Sequence, residues 1–132
     1  MMNNILNDYQ IVDNFIEEEK IKEAYRHFIS IPNDSFNDES LNQLYRFKIS
    51  ALGTKPISSV LLNYYFSYFK NALDSSPLIL ERFYSVAGDY FFGKNQFGQA
   101  INQYEKCLEY NSINTHAILG QAKSYQILRI YD

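Results

Sequence analysis

Between Glu81 and Ser112 the chain sets small and large side chains in a fixed order, and then the order starts again. Tyr84, Gly88 and Phe91 are followed, across a short polar break, by Phe97, Ala100, Tyr104 and Cys107. These are the steps at which two antiparallel helices interlock, with small residues where the backbones approach and rings filling the space beside them. Tyr125 lies 34 residues after Phe91, and Tyr131 lies 34 after Phe97. A period of that length indicates a helical solenoid, in which each hairpin buries its apolar face only by stacking on its neighbours. Such folds work by offering a surface, so the pattern constrains the kind of task while leaving the partner open.

The rest of the composition agrees with helices. A chain of 132 residues accommodates one domain or three to four stacked hairpins. Its 46% hydrophobic and 17% aromatic content excludes a disordered chain, since that much apolar surface offsets the ordering entropy. Five Gly and three Pro are too few to punctuate a many-turned β-sandwich. The net charge of −3 comes with scattered Lys and Arg, so no basic stripe tracks a phosphate backbone and no nucleic-acid partner is expected. The most apolar run, Val60 to Phe69, is about half of the ~20 residues a membrane span requires, and no membrane insertion is expected. MMNNILNDYQ lacks the basic and apolar regions of a secretory signal. Cys107 is the single cysteine, so no intramolecular disulfide forms, and a reducing, cytoplasmic setting is favoured.

Apolar residues recur at three- and four-residue steps, which predicts seven helices. The first runs from about Asn4 to Ile16 with Ile5, Tyr9, Val12 and Ile16 on one face. A charged turn at Glu17 to Glu19 leads to a second, ending at about Ile31, with Ile21, Ala24, Tyr25 and Phe28 inward and Pro32 as its stop. Asn33 to Ser40 reads as a loop, and Asp38 as the cap of a third helix over Glu39 to Leu52 with Leu41, Leu44, Tyr45, Lys48 and Ile49 at helical spacing. Gly53 closes it in the left-handed conformation. Thr54 to Pro56 forms the next turn, and Pro56 suits the first turn of a fourth helix that runs to about Asp74. Ser76 followed by Pro77 is a cap and first-turn proline. Helix five therefore covers Pro77 to Phe92, GKNQ at Gly93 to Gln96 is a tight turn, helix six covers Phe97 to Tyr110, and helix seven covers Asn114 to Ile130. The hairpins are thus about 4–31, 39–74 and 77–110, with an unpaired helix at 114–130.

These residues resemble the tetratricopeptide repeat family, whose pattern has a bulky residue at position 4, small ones at 8, 20 and 27, and aromatics at 11, 17 and 24. With Glu81 as the first position, Tyr84, Gly88, Phe91, Phe97, Ala100, Tyr104 and Cys107 fill those slots, and Ser112 stands where proline is usual. The next unit opens at Thr115 and supplies Ile118, Ala122, Tyr125 and Tyr131. Phe15, Ile21, Ala24 and Phe28 fit a first hairpin begun at Ile5. Helices three and four align by Ala72, Leu73 and Pro77 or by Leu52 and Gly53, but not by both, which implies a longer, irregular hairpin. The resemblance implies an all-α, right-handed α-α superhelix of about seven antiparallel helices.

It also implies a concave, partner-binding groove lined by Tyr9 and Asp13, with Leu6 and Ile16, in the first hairpin. In the best repeat the lining residues are Arg82, Ser85, Asp89 and Phe92, and in the last unit His116, Leu119, Lys123 and Gln126. Ser85 and Asp89 stand where chaperone-binding members carry Lys and Asn, so a chaperone-tail adaptor is disfavoured.

Read for chemistry, the residues are quiet. His27 and His116 lie far apart with no ligand set beside them, so neither a metal nor a cofactor is expected. Cys107 occupies a small-residue slot and reads as a buried, inert thiol. Tyr64, Tyr65, Phe66, Tyr68 and Phe69 point around more than one side of helix four, so most are core and one or two are exposed. Glu17 to Glu19 is a solvated turn. The expectation is a non-enzymatic interaction module, a scaffold or adaptor holding a partner protein's peptide or helix, with Arg82, Asp89, His116 and Lys123 as polar anchors and Tyr9, Phe92 and Leu119 as apolar contacts. Two alternatives stand beside it. Helix seven, exposing Tyr125, Leu128 and Tyr131, packs on another copy to form a homo-oligomer, or the chain is the N-terminal part of a larger multidomain protein.

Overall fold

A computed structural model of the chain describes residues 2–31, 39–53, 57–71 and 76–131, except for the side chains of 2–7 and 131. The expectations for Ile5, Leu6, Pro32, Asp38, Pro56, Ala72, Leu73 and Tyr131 rest on side chains or segments outside that set. The described residues form seven α-helices and no strand: α1 (Met2–Glu17), α2 (Ile21–Ser30), α3 (Glu39–Leu52), α4 (Ser59–Asn71), α5 (Pro77–Gly93), α6 (Phe97–Tyr110) and α7 (Thr115–Tyr131). They fall into two compact units, Met1–Ser58 and Ser59–Asp132. The expected pairing of α3 with α4 falls across that boundary.

In the first unit the three- and four-residue steps of α1 and α2 bury Tyr9, Val12, Ala24 and Phe28 with Ile31, and α3 adds Tyr45 and Ile49. Tyr25, expected inward, is exposed. It lies one residue past Ala24, and the 100° step of a helix turns it away from the face that α1 covers. Two carboxylates on α1 tie this unit together. Asp8 lies 2.9 Å from His27 Nε2 of α2. Asp13 accepts the Tyr45 hydroxyl at 2.6 Å and the Lys48 ammonium at 2.8 Å, both from α3.

The turns of α1–α2 and α5–α6 have the same backbone hydrogen bonds. Glu19 donates to the carbonyl of Ile16 and Lys20 to that of Phe15, while Asn95 donates to Phe92 and Gln96 to Phe91. Glu19 (φ 61°) and Asn95 (φ 62°) both take the left-handed conformation. Sequence reasoning had placed a glycine in that role at Gly53, but no described glycine has positive φ. The α5–α6 turn instead lets Gly93 end the helix and assigns the strained position to Asn95, whose short polar side chain tolerates it.

In the second unit Ser76 caps α5, its Oγ accepting from the Ile79 amide at 3.3 Å, with Pro77 at the first turn. The described helix α4 starts at Ser59, and Ile57 and Ser58 before it are not helical. Helix α4 meets α5 through rings: Phe69 stacks on Phe83 with centroids 4.2 Å apart, and Phe66 meets Phe83 edge-on at 5.2 Å. Of its aromatic run Tyr65 and Phe69 are buried, Phe66 and Tyr68 half-buried and Tyr64 exposed, so one ring is exposed as expected but fewer than most are core. Phe83 is fully buried, and so are Ala100 and Cys107 of α6 and Ala117 of α7.

The ring of Tyr104 on α6 lies between two glycines, Gly88 of α5 and Gly120 of α7, and a β-carbon added at either would overlap it. With that ring closed in on both sides, Gly88→Ala or Gly120→Ala must displace it, at an expected cost of about 1–3 kcal/mol each. Gly98, in the first turn of α6, has no atom within 4 Å of its missing β-carbon, so Gly98→Ala is expected to be neutral or to stabilise by a few tenths up to about 1 kcal/mol. Urea unfolding of the three variants checks this, and equal midpoints would refute the slot.

At the α1–α2 turn, Glu19 is a less suitable left-handed residue than Asn95. Glu19→Gly is expected to stabilise by up to about 1 kcal/mol, and Asn95→Gly by less. Thermal melts that ranked them in the opposite order would refute this.

Candidate functional site

The residues that sequence reasoning assigned to a groove are not one set in the structure. Tyr9 does not line an open surface: it is 4% exposed and stacked on Tyr45 at 4.5 Å. A ring supplied by α3, far away in sequence, covers that of Tyr9. Asp13 is half-buried and held by Tyr45 and Lys48, so its charge ties α1 to α3. The groove assignments for Tyr9 and Asp13 are thereby corrected to packing and cross-helix bonding.

In the second unit the assigned residues do come together. Helical spacing puts Arg82, Ser85, Asp89 and Phe92 along one side of α5, and His116, Leu119, Lys123 and Gln126 along one side of α7. The two sides meet at Asp89. Its Oδ1 accepts the Tyr104 hydroxyl at 2.6 Å, and His116 Nε2 lies 2.8 Å from each carboxylate oxygen. One aspartate of α5 therefore holds both α6 and α7. Arg82, His116, Leu119, Lys123 and Gln126 are exposed, while Ser85 and Phe92 are half-buried. The Phe92 ring is braced edge-on by Phe97 at 5.2 Å.

A second carboxylate of α5 fixes where α7 begins. Glu81 accepts from the side-chain amides of Asn111 at 2.9 Å and Asn114 at 2.7 Å. Asn114 in turn caps α7, its Oδ1 accepting from the Ala117 amide at 3.0 Å. Sequence reasoning did not foresee Glu81, the Tyr104 hydroxyl or Gly120 in these roles. A glycine inside a helix, as Gly120 is, signals close approach, but nothing in the sequence says to what.

The electrostatics follow from these bonds. The hydrogen bond to Asp89 raises the His116 pKa above its ordinary 6.5, and the Asp89 charge adds to this, while burial and nearby Lys123 pull it down. Burial and the bond to Asp89 raise the Tyr104 hydroxyl well above its usual range, so it remains a donor. Burial, with the charges of Glu81 and Asp89, pushes the Cys107 thiol up to about 11, which agrees with an inert core thiol. Among the described residues no group of three or more His, Cys, Asp or Glu could hold a metal ion, and no helix is long and apolar enough to cross a membrane.

No family model, curated protein or solved structure matches the chain.

The bond from His116 to Asp89 makes the seating of α7 pH-dependent. With the folded pKa above the unfolded one, its stabilisation is fully present below the unfolded value and is lost as pH rises through the folded value. The stability advantage of the wild type over His116→Gln is therefore expected to shrink between about pH 6 and pH 8. Chemical denaturation of both proteins across that range measures it, and an advantage that grew with pH would contradict the bond.

Proposed function

We propose that the chain is a helical-repeat interaction module of the tetratricopeptide type, which holds a peptide or helix of a partner protein against the side of α5 and α7. On this reading the molecule supplies a surface rather than a reaction site, and the stacked helices of the second unit are a stretch of solenoid.

The observation that carries the reading is the division of labour among the charged residues. Asp89 is occupied by Tyr104 and His116. Arg82 and Lys123 are exposed, and His116 is biased towards its charged form. Outside the Asp89 cluster the charges that this face leaves exposed are then the cations Arg82 and Lys123, although the chain as a whole carries −3. Leu119, 58% exposed, and half-buried Phe92 supply the apolar contact that such a face needs to retain a partner. An acidic segment with one or two apolar anchors suits it best. The equivalent turns at Glu19 and Asn95, which place Phe15 and Phe91 alike, support a repeat origin.

Affinity capture from host-cell lysate tests this, run in parallel with the wild type and the Arg82→Glu, Lys123→Glu double variant. Both positions are exposed, so the variant is expected to melt within about 1 °C of the wild type, as surface changes usually do. Genuine clients should be depleted about tenfold or more, the scale of two lost charge pairs across an interface. Identical capture profiles from both proteins would count against the groove.

A further inference from the structure

Helix α7 is held unlike the other helices of its unit. Each of those buries at least one aromatic ring: Phe69 in α4, Phe83 in α5 and Tyr104 in α6. Among the described side chains of α7 only Ala117 and Ser124 are buried, while Gly120 sits against the Tyr104 ring and Ile127 and Leu128 are half-buried. An alanine and a serine remove little apolar surface from water, so the hydrophobic contribution that fixes the other helices is small here. Among the described residues, the side-chain hydrogen bonds from α7 to α5 are confined to its cap and first turn, where Asn114 reaches Glu81 at 2.7 Å and His116 reaches Asp89 at 2.8 Å. Elements with few buried apolar contacts open locally at a lower free energy than the whole fold. Of the two ties, the histidine is the one that titrates near neutrality. Around its ring are Asp89 of α5, Tyr104 of α6 with centroids 6.3 Å apart, and Lys123 of α7 itself. Asp89 also faces the Cys107 thiol. Protonated His116 makes an ion pair with Asp89, whereas neutral His116 retains a hydrogen bond only. In the first unit Asp13, 76 residues before Asp89, is held by a lysine, Lys48, instead.

From this weak seat and its single titratable tie we infer that α7 is a flap that opens while the α5–α6 hairpin stays folded, with His116 as its latch. Closed, it covers the seam of Ala100, Tyr104 and Cys107, against which Ala117 packs. Closing is favoured while His116 is charged. The open fraction is therefore smallest below the open-state pKa of the histidine and rises as pH passes through the closed-state value, which the bond to Asp89 holds higher. The latch is graded rather than all-or-none. His116 is exposed, and ion pairs of that kind are weak, so its titration changes the open fraction about threefold, against the roughly 10⁴-fold that a complete switch needs. Opening uncovers Cys107, and the inference stands without the client-binding reading above.

Cys107, the single cysteine, reports the opening. The full chain and its His116→Gln variant are labelled with N-ethylmaleimide under native conditions between about pH 6 and pH 8, at concentrations where the rate is proportional to reagent. The ratio of the two rates at each pH cancels the ionisation of the thiol itself. His116→Gln is expected to label about threefold faster than the wild type at the acid end, with the rates converging at the alkaline end. Amide hydrogen exchange of the wild type gives the second readout: protection at Gly120 to Leu128 of α7 should be lower than at Val86 to Tyr90 of α5 by about tenfold or more. A rate ratio that is flat or that grows with pH overturns the latch. Amides of α7 as well protected as those of α5 overturn the flap.

Discussion

The second unit depends on how one aromatic ring is held. Tyr104 enters from α6 between the backbones of α5 and α7, and only glycines at Gly88 and Gly120 leave it that space. Each glycine lowers the helix propensity of its segment by roughly 0.5–1 kcal/mol relative to alanine. Burying the ring and satisfying its hydroxyl offsets this, since a hydrogen bond to a charged group contributes about 1.5–3 kcal/mol. The hydroxyl reaches Asp89, and Asp89 reaches His116. A packing constraint thus continues directly into the polar face of the molecule, and the site is positioned by the same residue that closes the core.

Asp13 and Asp89 play parallel parts in the two units. Each stands on the first helix of a tight hairpin, and each accepts a tyrosine hydroxyl together with a Lys or His of a later helix. A carboxylate with two such donors is expensive to expose to a ligand, because a partner would first have to replace bonds already formed. Both carboxylates are therefore committed within the molecule, whereas Arg82 and Lys123 beside Asp89 remain exposed.

Where local rules decide, the sequence was legible. Helices α3 and α6 have the boundaries that their spacing predicts, Ser76 and Pro77 open α5 as a cap and first-turn proline, and Ala100, Tyr104 and Cys107 are buried as their slots require. The misreadings concern distant partners. Tyr9 looked like a surface contact because its cover, Tyr45, lies beyond the next helix. Tyr25 looked buried because periodicity within a ten-residue helix does not say which neighbour is present. Leu128, expected to be exposed with Tyr125, is half-buried, since it shares the side of α7 that holds Ala117, Ser124 and their neighbour α6.

By itself the sequence determined the helices, their turns and the alternation of small and aromatic residues, because propensity, capping and steric period act over a few residues. Only the tertiary structure decided that Gly120 completes the slot begun by Gly88 and that Asp13 and Asp89 are bound within the molecule. Each of those outcomes depends on side chains from separate helices meeting within hydrogen-bond or van der Waals distance, and no local pattern encodes which chain segment arrives there.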